Sequence, residues 1–208
     1  MWELSRRGML ARVSDRLVRE ARSNCDLIST SRRFPECVFP AGWGSFRLFE
    51  SDRMFSPEFL GVLKSLVAAE AGGCACIVNL DESGYPDAYQ LGALVVGPET
   101  SASSFWEVLG SIETVCGQER IGWALTADRF ACASDRGDVL FYCEKAEELA
   151  VAAFRESASN HHELVKTVES SLQAVRVVDA FALPLVPNLV DPGMSSEWRE
   201  RMCASYGA

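Results

Sequence analysis

The sequence predicts an α+β protein with a mainly antiparallel central sheet and helices packed on it. Helix-like segments are followed by groups of strand-like segments that are neighbours along the chain. The clearest pair of strands, "CACIVNL" and "AYQLGALVVG", is joined by the short loop "DESGYPD", for which an antiparallel arrangement is the simplest. The length of 208 residues suits one domain.

The two ends of the chain differ from its middle. Residues 3–23 have helical spacing, with an apolar stripe that includes Leu10, Val13, Leu17 and Ala21 and with arginines elsewhere. We therefore interpret residues 1–33 as an arginine-rich helical arm. Residues 184–208 form a proline-rich extension, in which "SSEWRERMC" predicts a short terminal helix.

The first half of the predicted domain contains a strand and two helices. The alternation in "SFRLFE" predicts a strand over 45–50. Ser56 followed by Pro57 predicts a helix start, and Gly72-Gly73 ends that helix. We expect Cys74 and Cys76 to lie beneath this helix, and an amphipathic pattern predicts a second helix over 101–117.

The second half begins with one or two strands in "RIGWALTADRFACAS" and a hairpin loop at "SDRGD". Val139 to Cys143 is apolar on both faces, which predicts a buried central strand. A four-residue hairpin loop would pair Cys132 with Val139 and not with Cys143, so we expect no disulfide between the two cysteines. A further helix is predicted to start at Asn160, with Glu163 at the capping-box position.

The segment "EKAEELAVAAF", residues 144–154, is compatible with two structures. Ala146, Leu149, Ala150, Ala153 and Phe154 share one helical stripe, and residue propensity favours this helix. A turn at 144–147 followed by a strand over 149–154 fits the same residues.

Charge is unevenly distributed along the chain. Residues 1–33 carry a net charge of +4 and the remainder −13. No Lys or Arg lies between Lys64 and Arg120, where eight acidic residues occur. Such a field attracts basic partners and repels phosphate backbones, which predicts a basic protein partner and excludes nucleic acid as the ligand of this body.

Motifs for catalysis or metal binding are weak. His161 and His162 are adjacent in a predicted helix, so they point about 100° apart and cannot clamp one metal together. Cys74 and Cys76 share one face of a strand, but no second cysteine pair completes a zinc site. We predict no metal and no cofactor, and the eight cysteines are interpreted as reduced, mostly buried thiols.

No apolar run reaches the roughly 20 residues that span a bilayer, and the N-terminus lacks the apolar region of a signal peptide. The expectation from the sequence is therefore a cytoplasmic protein that makes no contact with a membrane.

Residues 131–154 resemble the C-terminal sheet of bacterial immunity proteins of polymorphic or contact-dependent toxin systems. The resemblance lies in the turn Ser134–Gly137, the strand Val139–Tyr142, the charged turn Glu144–Glu147 and the apolar segment Leu149–Phe154. It implies a cytoplasmic, non-enzymatic inhibitor, and it favours a strand over a helix for residues 149–154.

These observations lead to one main hypothesis and two alternatives. The main hypothesis is an acidic binding protein that occludes a cognate toxin, with its oligomeric state open. Its candidate partner contacts are Asp81, Glu82, Asp87, Asp128, Asp135 and Asp138. The alternatives are a small-molecule enzyme with a thiol or carboxylate site assembled in the fold, and a structural or regulatory interaction domain that docks through helix 3–23.

Overall fold

The computed structural model describes residues 13–81, 93–110, 112–115, 118–121, 128–158, 161–182 and 195–207. The predicted contacts Glu82 and Asp87, the capping residue Asn160 and the proline-rich segment 183–194 lie outside the described residues. The first 12 residues of the predicted arm lie outside them as well.

One sheet contains seven strands: β1 (Trp43–Glu50), β2 (Ala75–Asn79), β3 (Ala93–Val96), β6 (Arg129–Ser134), β7 (Val139–Glu144), β8 (Leu149–Arg155) and β9 (Val175–Arg176). Their order in the sheet is β3–β2–β6–β7–β8–β1–β9, and every neighbouring pair is antiparallel. A separate hairpin consists of β4 (Ile112–Val115) and β5 (Gln118–Ile121). The predicted α+β class and the antiparallel β2–β3 pair are confirmed.

Helices cover both faces of the sheet. Those of the described residues are α1 (Asp15–Cys25), α2 (Pro57–Ala69), α3 (Ala102–Gly110), α4 (His161–Leu172), α5 (Val177–Ala182) and α6 (Ser196–Tyr206). Apolar side chains of α2, α3 and α4 pack on one face, which we call the α2 face. Those of α1, α5 and α6 pack on the other, the α1 face.

Strand β7 lies at the centre of the sheet, as its sequence predicts. All six of its residues are buried, with Phe141 on the α2 face and Leu140 and Tyr142 on the α1 face. A strand whose two faces are both covered has no polar alternation, because each side chain enters one of the two cores.

The structure of residues 145–155 decides between the helix and the turn-then-strand arrangement that the sequence left open. Lys145–Glu147 is a short 3₁₀ turn, Glu148 takes a left-handed conformation with φ of 56°, and β8 follows from Leu149. The prediction of a helix from residue propensity is therefore wrong. Pairing with β7 and β1 on either side buries β8 on both faces, and this tertiary context overrides the helical preference of alanine.

Three further expectations need correction. The helix predicted over 101–117 ends at Gly110, and residues 112–115 instead form β4, paired with β5. Cys132 faces Phe141 rather than Val139 across the hairpin, although Cys132 and Cys143 remain free thiols as expected. Cys74 and Cys76 lie on the α1 face and not beneath α2, so helix α1 covers them.

The described parts of the two chain ends are integral to the fold. Val18, Ala21 and Cys25 of α1 are buried on the sheet, and so are Met202 and Tyr206 of α6. Among the described residues, no helix combines the length and the apolar character that crossing a membrane requires.

Candidate functional site

The described candidate acids fall into two pairs at opposite ends of β6. Asp81 and Asp128 lie where β6 begins, and Asp135 and Asp138 lie in the loop that follows it. A six-residue strand is about 20 Å long, so the two pairs do not form one continuous patch. We call the first region the acidic end and the second the hairpin end. The acidic end contains Glu50, Asp52, Asp81, Asp128, Glu144, Glu147 and Glu148.

Asp81 is held by the start of β6. Its Oδ2 accepts hydrogen bonds from the backbone amides of Asp128 and Arg129, both at 2.8 Å, and its Oδ1 accepts one from Arg129 Nε at 2.9 Å. Burial raises the pKa of Asp81, but these hydrogen bonds outweigh it and leave the pKa below its ordinary value. The carboxylate therefore fixes β2 to β6.

Asp128 and the buried Glu144 share the guanidinium of Arg33. Arg33 Nη1 lies 2.9 Å from Glu144 Oε1 and 3.4 Å from Asp128 Oδ2. Asp128 Oδ1 also accepts a hydrogen bond from the Ala146 amide at 2.9 Å, which ties β6 to the turn before β8. Its side chain is 37% exposed, so it can still meet a partner.

Glu144 is a carboxylate inside the α1 face, with 2% of its side chain exposed. In addition to Arg33, it accepts hydrogen bonds from the Tyr142 hydroxyl at 3.0 Å and from the Phe34 amide at 3.1 Å. Burial and the neighbouring charge of Glu144 raise the pKa of Tyr142, so this hydroxyl stays protonated and donates a hydrogen bond to Glu144. The cluster anchors the loop around Phe34 to the sheet.

The outer surface of the acidic end surrounds an open cleft of about 410 Å³. Glu50, Asp52, Glu148 and Lys145 line it. Asp52 and Glu148 are exposed, and Glu147 is half-buried nearby. Burial, followed by the charges of Glu144 and Asp128, raises the pKa of Glu147.

At the hairpin end, Asp135 is buried and its carboxylate is engaged within the chain. Oδ1 accepts hydrogen bonds from the backbone amides of Gly73 at 2.9 Å and Cys74 at 3.1 Å. A Cβ atom at Gly72 would lie 2.5 Å from this oxygen, so glycine is what permits the approach. Asp135 therefore connects the end of α2 to the hairpin.

Asp138 pairs with Arg155, whose Nε lies 3.6 Å from Asp138 Oδ1. Its backbone amide donates a hydrogen bond to Glu70 Oε1 at 3.1 Å. Burial, together with the charges of Asp138 and Asp135, raises the pKa of Glu70 to about 7, although the hydrogen bond from Ser134 opposes this. Sequence reasoning missed Glu70, because a single Glu at the end of a helix has no distinguishing pattern.

The two ends differ in how far their acids are neutralised. Among the described residues, Arg33, Arg53, Arg129 and Lys145 face the seven carboxylates of the acidic end, which leaves an excess of negative charge. At the hairpin end the acids are interspersed with Arg16, Arg19, Arg136 and Arg155. Of these two ends, the acidic end therefore has the larger excess of negative charge, although Asp81 is its one member from the interval between Lys64 and Arg120.

The five fully buried thiols among the described residues are not activated. Burial raises the pKa of Cys25, Cys74, Cys76, Cys132 and Cys143, which keeps these thiols protonated at neutral pH. His162 is exposed on α4, and the described residues contain no group of three or more His, Cys, Asp or Glu that could hold a metal ion.

Comparisons of the chain with protein-family models, with curated proteins and with solved structures found no match. The fold and the two charged ends described above are therefore what the functional proposal depends on.

Proposed function

We propose that this chain is an acidic binding protein that occludes a basic protein partner with its acidic end, in the manner of an immunity protein that neutralises a toxin. The observation that carries the proposal is the set of exposed and half-buried carboxylates at the acidic end. Glu50, Asp52 and Glu148 line the 410 Å³ cleft, and Glu147 precedes Glu148 in the chain. Carboxylates fixed on a rigid sheet end suit the capture of lysine and arginine side chains.

The acids of the acidic end fall into two groups, those that hold the structure together and those that can contact a partner. Asp81 accepts hydrogen bonds from the backbone and from Arg129. Glu144 accepts one from Tyr142 and pairs with Arg33. Both carboxylates therefore hold the surface in place. Asp52, Glu147 and Glu148 have no such role in the described structure and can present their charge to a partner. We therefore propose Asp52, Glu147 and Glu148 as the main partner contacts in place of Asp135, which is buried.

Two other readings of the sequence receive less support. A thiol enzyme needs an activated cysteine, whereas burial raises the pKa of the thiols named above. If α1 were a separate docking arm, its removal would leave the rest of the protein folded. Val18, Ala21 and Cys25 of α1 are instead part of the α1-face core.

The test is binding to the protein encoded by the gene adjacent to that of this chain. In a pull-down, the wild type should retain this partner, and the triple variant Asp52→Asn, Glu147→Gln, Glu148→Gln should lose it. The control variant Glu99→Gln, Glu163→Gln, Glu200→Gln removes the same amount of charge from exposed positions elsewhere and should bind like the wild type. Equal retention by all three proteins would refute the role of the acidic end.

A further inference from the structure

A cleft of about 460 Å³ opens at the hairpin end, between α1 and the loop of residues 135–138. Six charged residues line it: Arg16, Arg19, Glu20, Asp135, Arg136 and Arg155. Four of the six are arginines, in a chain whose net charge is −9. The arginines of the lining thus outnumber its acids, and the volume of the cleft is in the range of small-molecule sites.

Both acids of the cleft are already engaged within the chain. Glu20 Oε1 lies 2.8 Å from Arg16 Nε, one helical turn away. The buried Asp135 accepts hydrogen bonds from the amides of Gly73 and Cys74. Neither carboxylate therefore neutralises Arg19 or Arg136 through a direct ion pair.

Arg19 and Arg136 keep most of their donors available. Both are exposed, and the guanidinium of Arg19 forms neither a hydrogen bond nor an ion pair with the described part of the chain. The guanidinium of Arg136 makes one long hydrogen bond, from Nη2 to the Ala71 carbonyl at 3.4 Å.

Arg155 forms a fixed wall of the cleft. It donates a hydrogen bond from Nη2 to the Gly137 carbonyl at 2.9 Å, lies near Asp138, and stacks with its guanidinium 4.6 Å from the centre of the Trp43 ring. A guanidinium anchored in this way loses little side-chain entropy when it contributes to binding.

We propose that this cleft binds a compact multivalent oxyanion, with phosphate groups as the preferred chemistry. Arg19 on α1 and Arg136 in the hairpin loop supply the N–H donors, whereas Arg16 and Arg155 are paired with Glu20 and Asp138 and shape the cleft. Planar guanidinium groups match the oxygen spacing of phosphate and of carboxylate. The surrounding negative charge disfavours a long polyanion such as nucleic acid, which extends beyond the cleft, but it leaves room for a small ion.

Isothermal titration calorimetry with tripolyphosphate as the probe tests this site. The wild type should bind it, and Arg19→Ala, Arg136→Ala should weaken binding by roughly ten- to hundred-fold, because charge-assisted hydrogen bonds are lost. The matched control Lys64→Ala, Lys166→Ala removes the same charge from α2 and α4 on the other face and should bind like the wild type. A parallel titration with citrate compares phosphate groups with carboxylates. A preference for phosphate predicts that citrate binds more weakly than tripolyphosphate.

A second measurement on the wild type does not depend on the variants. Tripolyphosphate should shift the NMR amide signals of Ser23, Asn24 and Gly137 around the cleft, and not those of the acidic end. Absence of binding at about 10 mM probe, or equal weakening in both double variants, would overturn the proposal. Shifts spread evenly over exposed arginines, or tighter binding of citrate, would also overturn it.

Discussion

The hydroxyl of Ser134 donates a hydrogen bond to the carboxylate of Glu70, which joins the residue after α2 to the last residue of β6. The Asp138 amide donates to the other carboxylate oxygen, and the carboxylates of Asp135 and Asp138 lie close enough to raise its pKa. Glu70 therefore sits where burial and like charge disfavour its ionised form.

This position predicts that ionisation of Glu70 destabilises the fold. Its pKa is raised from 4.5 to about 7, so the native state binds more protons than the unfolded state between these values. Stability should consequently fall as the pH rises through this interval. Glu70→Gln should remove this part of the pH dependence, which amounts to up to roughly 3 kcal/mol.

Urea denaturation at about pH 5 and about pH 8 measures this difference in the free energy of unfolding. Glu163→Gln, the same chemical change at an exposed position of α4, serves as the control and should keep the wild-type pH dependence. If Glu70→Gln retained that dependence as well, Glu70 would not be the group responsible.

Removal of the carboxylate should cost much more stability at Asp81 than at Asp52. Asp81→Ala removes the acceptor of two backbone amides and of Arg129 Nε, so we expect a loss of about 1.5–3 kcal/mol at neutral pH. Asp52→Ala at an exposed position should change stability by less than about 0.5 kcal/mol.

The effect of Asp81 has a defined pH dependence. Because its pKa is lowered below 3.8, its stabilisation is present above that value and is lost as the pH falls through the folded-state pKa. Denaturation curves of both variants in neutral and acidic buffer provide the measurement. A large effect of Asp52→Ala, or none of Asp81→Ala, would mean that the structural and the exposed acids have been assigned the wrong way round.

Tyr142 and Tyr206 are buried tyrosines whose hydroxyls both form hydrogen bonds within the chain. The Tyr142 hydroxyl donates to the buried carboxylate of Glu144. The Tyr206 hydroxyl donates to the Glu36 carbonyl and accepts a hydrogen bond from the Val38 amide. Tyr142→Phe should cost about 1.5–3 kcal/mol, because a bond to a charged group is strong, and Tyr206→Phe should cost about 1–3 kcal/mol, because it takes a partner from two backbone groups. Thermal or urea unfolding measures both losses, and a change of less than about 0.5 kcal/mol in either variant would contradict the described network.

Two glycine substitutions should have opposite signs. Gly137 has a φ of 69°, and a Cβ there would lie 2.5 Å from Asn24 Cγ, so Gly137→Ala should destabilise the protein by more than about 1 kcal/mol. Gly61 lies within α2 with open space around its Cβ position, and Gly61→Ala should stabilise the protein by about 0.5–1 kcal/mol. Unfolding midpoints of the two variants test both signs, and a stabilising Gly137→Ala would exclude the left-handed turn.

Local chemistry predicted part of this fold well. Ser56 caps α2 through a 3.2 Å hydrogen bond from the Phe59 amide, and the apolar character of Val139–Cys143 indicates the central strand. These features depend on residues that are close in the sequence. The β8 strand could not be derived from propensity, because its pairing with β1 joins residues about a hundred positions apart.

The candidate site was harder to predict for the same reason. The sequence identifies Asp81 and Asp128 as acidic but does not reveal that the first fixes the start of β6. Asp135 looks like an ordinary turn residue until the fold brings the amides of Gly73 and Cys74 to it. The spacing of Arg19 and Arg136 along the chain does not indicate that they line one cleft, because α1 and the hairpin meet only in the folded protein.

The most direct test of the proposed function is the association rate of this chain with its adjacent-gene partner, measured by stopped flow at increasing salt. Steering by the acidic end predicts that the wild-type rate falls about ten-fold or more between low and physiological salt, as Debye screening sets in. The variant Asp52→Asn, Glu147→Gln, Glu148→Gln should start slower and lose most of this salt dependence. A wild-type rate that does not change with salt, or a variant that matches it throughout, would contradict the account.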